Sequence, residues 1–365
     1  MATNSTPPTP AAASPFDDAQ RLMLKTQFGE PVSEVNLAGL AFAQATLAGG
    51  IFNQVNFSGC DFSRSDLREA TFEQCLLDGA VFDEANLRGA TFHRCSAQGT
   101  RWQRAVLRNA KLVGTDFGGS DFRAADFNLA VLIQSGMAGC DFRAAQLDRT
   151  TFCEVPAPKA LFEHIALHQV TFQKCKLDGA SFAQSSFQRA AFIETPLPGW
   201  RFAGQELFGV QFMDCDLTGA DFAEATLQQC NFKGAMLKDA NFSKVRAPNA
   251  LFPEAVGEGC NFQDADLRQA IFHKAAFARA RFDRANLYQT NWMEAKLPGS
   301  SLRDCELTYA DFSQADLSQA DLHGATLFRT KLHRVTDTGA RFTDRARALE
   351  TDPVLARAED WPAQP

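Results

Sequence analysis

His164 and His168 stand four residues apart, a spacing that on an α-helix would put two imidazoles on one face as metal ligands. No third ligand accompanies them. Ten cysteines offer thiol chemistry, yet no two form a Cys-x-x-Cys pair, the usual sign of a metal or redox site. The chain has no glycine-rich phosphate loop and no nucleophile elbow. His93, His273, His323 and His333 are isolated outward positions and are expected to be solvated. The carboxylates of Asp116, Asp121, Asp126, Asp311, Asp316 and Asp321 recur at five-residue intervals, but Arg123, Arg143, Arg281 and Arg284 interleave with such acids elsewhere along the chain. These residues predict no enzyme, no metal and no cofactor.

The elements that position them follow from one periodicity. Every fifth residue from Leu37 to Phe342 is large and apolar, without an insertion or deletion, except Ala97, Ala157, Ala247, Gly257 and Asp337. Of the 33 Phe residues, 29 lie in this register, so it must face a common interior. A second register two residues earlier takes small residues such as Ala45, Ser65 and Ala80. Nine of the ten cysteines occupy it, Cys153 being the exception, and cysteine there acts as a small buried hydrophobe. A period of five is neither helical nor a flat strand. A chain that returns an inward pair every five residues for hundreds of residues must wind.

A longer period counts the sides. The columns beginning Phe42 and Phe52, each of period 20, are mainly Phe, whereas those beginning Leu37 and Leu47 are mainly Leu. Bulky and slim sides alternate, as a four-sided coil requires. Gly39, Gly59, Gly79 and nine further glycines share one period-20 column, which predicts one corner of a distinct turn type requiring positive φ. On this coil His164 and His168 fall on different sides. Cys75 and Cys95 stack one coil apart at ~4.8 Å, within disulfide range, but free thiols are expected in a cytoplasmic protein.

Ala-Asn-Leu and Ala-Asp-Leu triplets at 85–87, 285–287, 315–317 and 320–322 resemble the pentapeptide-repeat family, whose motif is A(D/N)LXX. The resemblance covers roughly Val35 to Phe342. It implies an all-β fold, a right-handed quadrilateral parallel β-helix, here with short helical caps at both ends. The expected organisation is a disordered tail over 1–13, an N-terminal helical cap over 14–34, the β-helix over 35–342, and a C-terminal helical cap and tail over 343–365. Ser14-Pro15 with Asp17 and Asp18 predicts a helix start, ended by Gly29, with Phe16, Ala19, Leu22 and Met23 covering the first coil. Asp352-Pro353 predicts a second helix, with Leu349, Val354 and Leu355 covering the last. The repeat weakens at Val155–Pro158, at Pro196–Pro198 with Trp200 and Gln205, and at Pro248–Gly257; tolerated irregularity is the expectation there.

The net charge of -7, from 43 acidic and 36 basic residues, gives no basic stripe for nucleic acid. No run is long enough to span a membrane, and the N-terminus lacks the pattern of a secretory signal. A cytoplasmic, non-catalytic scaffold or adaptor that binds other proteins is the expected function. Its candidate partner face is the outward set Ile51, Val113, Val131, Ile133, Ile193, Met213, Leu251, Ile271 and Met293, set against the plainer reading that β-branched residues suit a flat sheet. A secondary candidate is Phe208, Tyr288, Tyr309 and Phe328, on the side where Arg68, Arg88 and Arg108 stack. The C-terminal run from Ala325 through Pro353, with 358–361, resembles long family members that accompany bacterial type VI secretion systems, which implies an accessory role there. The alternative that the family suggests is a DNA mimic binding a type II topoisomerase, gyrase. Family members often dimerise through a terminal cap, so a homodimer of that kind is a further expectation.

Overall fold

The structure, a computed structural model, describes residues 15–361; the tail expected over 1–13 lies outside them. The described residues divide into two compact units, one up to Gln146 and one from Leu147, and each is a coil with the same construction. In the first, the side carrying β1 (Val32–Ser33), β2 (Ile51–Asn53), β3 (Thr71–Glu73), β4 (Thr91–His93), β5 (Lys111–Val113) and β6 (Val131–Ile133) forms a parallel sheet in sequence order. Every pairing joins residues 20 apart, as Ile51 joins Thr71. Single bridges at the same offset bind the other three sides, Asn36 to Asn56, Ala41 to Asp61 and Thr46 to Asp66. Four sides of five residues therefore make one turn. The inward register begins one repeat earlier than Leu37, because Val32 is buried and opposes Phe52.

In the second unit, β7 (Thr151–Cys153), β9 (Thr171–Gln173), β11 (Ala191–Ile193) and β12 (Gln211–Met213) make the sheet. β8 (Ala166–His168) and β10 (Ser186–Gln188) pair on a neighbouring side. β13 (Asp321–Leu322) and β14 (Arg341–Phe342) pair near the end. Phe columns stack as expected: Phe222 lies 4.8 Å from Phe242 with rings 8° apart, and Phe232 lies 4.8 Å from Phe252 at 3°. Across the interior the columns meet edge to face, Phe222 to Phe232 at 90°, the geometry that aromatic quadrupoles favour.

The remaining positions of the repeat have physical roles too. The Asp or Asn before the large residue accepts the amide two residues on, as Asp61 accepts from Ser63 at 2.9 Å and Asn241 from Ser243 at 3.2 Å. This local side-chain turn explains the Asp/Asn preference. Two residues after the large one the backbone is left-handed, and here the glycine-column expectation needs correction. Positive φ recurs at corners on all four sides, as at Gln44, Gly49, Gln54 and Gly59. The ladder bonds that flank each corner hold non-glycine residues in a conformation costing about 1–2 kcal/mol each.

The corner that differs lies instead on the strand-bearing side. Elsewhere the small residue mostly donates its amide to the large residue three before it, as Ala85 does to Phe82 at 3.1 Å, with Thr100 and Ile165 donating to Ser120 Oγ and Ser185 Oγ instead. On the strand side, buried side chains of the next coil substitute. The Cys95 amide donates to Thr115 Oγ1, that of Thr115 to Ser135 Oγ and that of Cys175 to Thr195 Oγ1. The carbonyls of Leu112 and Phe172 accept from Ser135 Oγ and Thr195 Oγ1, both at 3.0 Å. From Ala235 onward this column is alanine up to Ala315, the internal bond returns (Ala235 to Phe232, 3.0 Å), and strands shorten to single bridges.

The helix α1 (Pro15–Gln27) starts and stops as expected. Gly29, at φ 69°, closes it with paired bonds from Gly29 to Thr26 and from Glu30 to Lys25, a Schellman end. Leu22 and Thr26 are buried and Met23 is half-buried; the side chains of Phe16 and Ala19 lie outside the described residues. At the other end, α2 (Pro353–Glu359) is capped by Asp352, which accepts the amides of Val354 and Leu355. The expected apolar cover is not there: Leu349, Val354 and Leu355 are 44%, 68% and 47% exposed. Ionic contacts hold this end instead. Arg345 pairs with Asp337 and Glu350 and lies 5.0 Å over the Phe342 ring. Arg334 pairs with Glu359 and Asp360. His333, expected to be solvated, is buried, bonding Glu359 through Nε2 at 3.1 Å and accepting the Asp352 amide at Nδ1.

Of the three weak places, two keep the ladder where it is described: Ala157 donates to Lys176 and Gly257 to Ala276, both at 2.8 Å. Phe277 fills the room that Gly257 leaves; a Cβ on Gly257 would lie 2.2 Å from its ring. The third place parts. The amides of Leu177, Gly179, Phe182, Gln184 and Phe187 have no partner in the next coil, nor do those of Arg201 and Glu206 in the preceding one, among the described residues. The sheet side, β9–β11–β12, stays joined. Trp200 and Gln205 sit in the small-residue register, where their bulk wedges neighbouring coils apart, and Pro196 brings no amide to the ladder.

Candidate functional site

No cluster of three metal-ligating side chains occurs among the described residues. His164 is exposed at a left-handed corner, while His168 is half-buried and bonds Asp148. His93 pairs with Glu73, His273 bonds the Met293 carbonyl and His323 bonds Thr343 Oγ1, so these three are tied to neighbours rather than merely solvated. All ten cysteines are free. Burial pushes the thiol of Cys175 up to about 12 and that of Cys230 likewise, too high to supply thiolate. Their sulfurs serve the backbone: Cys140 Sγ donates to the Phe117 carbonyl at 3.1 Å and Cys230 Sγ to Leu207 at 2.8 Å.

The candidate apolar face lies on strands or bridges of one side in each unit. In the first unit, Val113 opposes Ile133 on β5 and β6, with Val131 two residues away; Ile51 stands apart on β2. In the second, Ile193 opposes Met213 and Leu251 opposes Ile271, while Asn231, Lys233, His273 and Asn291 interrupt. Ile51 and Ile271 are exposed, and the others are half-buried. The nine residues thus form small patches.

The secondary candidate is more coherent. Tyr288 meets Tyr309 edge to face at 5.9 Å, and Tyr309 meets Phe328 the same way at 5.9 Å. Tyr309 and Phe328 are 42% and 47% exposed. Tyr309 belongs to the corner column, yet it fills the gap left by Thr308 between Tyr288 and Phe328. A shallow groove of about 670 Å³ runs alongside, lined by Asn249, Gln269, Gln289, Tyr309, Arg329 and Lys331. Gln269 and Gln289 bond each other at 3.0 Å. Phe208 lies far along the coil, beside Arg189. On the same side of the first unit, Arg68 pairs with Asp66 and Arg108 with Asp126.

The aspartates that a DNA mimic would present are committed to the fold. The carboxylates of Asp116, Asp121 and Asp126 accept the amides of Gly118, Arg123 and Asn128. Those of Asp311, Asp316 and Asp321 accept from Ser313, Ser318 and His323. Cations cover Asp121, Asp126 and Asp311 as well.

These features define a parallel β-solenoid that presents columns of side chains on its surface. The chain belongs to the pentapeptide repeat family. The profile described as pentapeptide repeat region matches residues 45–122 and 165–242, and that described as pentapeptide repeats (8 copies) matches 260–299 and 294–324. Similar solved structures include full-length QnrB1, a plasmid-mediated fluoroquinolone resistance protein (17% identity, 56% of this chain and 92% of that one, TM-score 0.36). HetL of Nostoc sp. strain PCC 7120, involved in heterocyst differentiation regulation, is 18% identical over 89% of this chain and 88% of its own, with TM-score 0.16. Rfr23 of Cyanothece 51142 is 17% identical over 40% and 91%, with TM-score 0.19. No curated protein matches the chain in sequence. No helix among the described residues is long and apolar enough to cross a membrane.

Proposed function

We propose that the protein is a non-catalytic interaction scaffold whose partner is another protein, engaged along the edge formed by Tyr288, Tyr309 and Phe328. The observation that carries this reading is the contiguity of the three rings beside Arg329, since aromatic residues and arginine are the side chains enriched at protein interfaces. The C-terminal resemblance supports an accessory role in bacterial type VI secretion, and a cytoplasmic location goes with buried free thiols. A photo-crosslinking residue at Phe328 tests the edge in cells. The expected result is one discrete protein adduct that Tyr309→Ser abolishes and that a crosslinker at Ser318 does not form. A secretion component as the adduct supports the finer role; no adduct at Phe328 refutes the edge.

The topoisomerase reading is disfavoured, because 36 basic residues nearly offset 43 acidic ones and cations cover Asp121, Asp126 and Asp311 among its candidate carboxylates. A replica of a phosphate backbone needs an uncompensated field. A gyrase supercoiling assay is expected to show neither inhibition nor protection at micromolar protein, and either effect would reverse this ranking.

A further inference from the structure

Where the ladder parts in the second unit, a cavity of about 300 Å³ opens. Its walls are Phe182, Phe187, Trp200 and Phe202. The Trp200 ring centre lies 5.0 Å from that of Phe182 and 5.9 Å from that of Phe202, tilted by 51° and 37°, so the indole stands across the gap rather than stacking into either Phe column. Gln205 lines the same space, with its Oε1 turned away from it into the protein. That oxygen is shut from solvent and has no hydrogen-bond partner among the described residues, whereas nearly all buried polar atoms are paired. Arg201 is exposed at the rim and forms no ion pair with any described carboxylate.

We propose that this cavity binds a small aromatic carboxylic acid bearing a ring N–H or O–H. The ring packs against Trp200 and the Phe182 and Phe187 walls, the Gln205 side chain turns so that its Oε1 accepts the N–H or O–H, and the carboxylate pairs with Arg201. Each group answers one feature of the site. A purely apolar ring would leave the Gln205 acceptor unpaired, and a cation would face Arg201. The volume sits at the lower end of small-molecule sites, ~300–1,000 Å³, which holds one mono- or bicyclic ring. Aromatic walls with a few polar groups are the usual make-up of such sites.

Isothermal titration of the full chain with indole-3-acetate tests this. The expected result is one site with Kd below about 1 mM. Arg201→Gln should weaken it about tenfold, as a charge-assisted bond predicts. Indole, lacking the carboxylate, should lose the same factor against the parent protein and bind both proteins equally. Gln205→Leu should weaken indole-3-acetate but leave 2-naphthylacetate, which has no N–H, unchanged or tighter. No binding at roughly 5 mM ligand, a concentration that would reveal even millimolar affinity, would overturn the proposal. So would binding that neither substitution alters, or a stoichiometry above one. Should Gln205→Leu fail to fold, the exposed Arg201→Gln and the indole comparison decide the matter alone.

Discussion

Trp200→Ala with Gln205→Ala should stabilise the second unit, although it deletes side-chain contacts. Seven amides lack a ladder partner where residues 177–187 face 196–206. If the small register is restored, these bonds can form as they do in the coils on either side, where Phe162 donates to Ser181 at 2.8 Å and Phe202 to Asp221 at 2.7 Å. At the low end of net hydrogen-bond contributions, about 0.5 kcal/mol each, the gain is about 3.5 kcal/mol. Losing the half-buried indole costs about 1–1.5 kcal/mol in apolar burial, leaving about 2 kcal/mol of net stabilisation. Because solenoids open locally, amide hydrogen exchange is the decisive assay. Exchange at Phe182 and Gln184 should slow, and the urea midpoint should rise. If those amides exchange as fast as in the parent, or the midpoint falls, the wedge explanation is wrong.

Phe222→Asp should destabilise by roughly 3–5 kcal/mol, since it buries an unpaired charge between Phe202 and Phe242 at 4.9 and 4.8 Å. Ala223→Asp, on the neighbouring outward position, should change stability by less than about 0.5 kcal/mol; thermal melts check both. Gly257→Leu should cost at least about 2 kcal/mol by overpacking against Phe277, and Phe277→Leu should rescue it in the double variant, as a melting series would show. Burial alone would raise the pKa of Asp121, but hydrogen bonds from Arg123, Gln103 and the Arg123 amide outweigh it and bring the carboxyl to about 2. A depressed folded pKa stabilises above the unfolded value, ~3.9, and the contribution fades as pH falls toward 2. Asp121→Asn should therefore cost about 1 kcal/mol at pH 7 and nothing near pH 2, measured by denaturation at both.

The inward register was legible because Phe and Leu recur without slippage, and the buried rows at Phe52, Phe72 and Phe92 follow it directly. The corners were less legible. Glycine marks where left-handed backbone is cheapest, not where it occurs, so Gln44 and Arg64 gave no signal. Cysteine was recognisable as small, but its role as a donor to a carbonyl 23 residues back depends on which coil lies beneath it. His333 looked like any outward residue, because the helix that buries it returns from 20 residues further on. Tyr288, Tyr309 and Phe328 were visible singly. Their mutual contact needed the corner geometry that swings Tyr309 over Thr308. Trp200 and Gln205 broke the small register in plain view, yet only the missing ladder bonds reveal that the coil yields to them.

In each repeat two residues point inward, one carries the left-handed bend, and the one before the large residue closes the turn with its own side chain where it is Asp or Asn. The residue after the large one has the least structural duty, and Val113, Ile133, Met213, Tyr288 and Phe328 all occupy it, with the corner residue Tyr309 joining the last two. Natural variation in what this molecule recognises should therefore concentrate in single-file tracks of such sites, spaced like rungs, and a library randomising one track would sample new specificities without disturbing the fold.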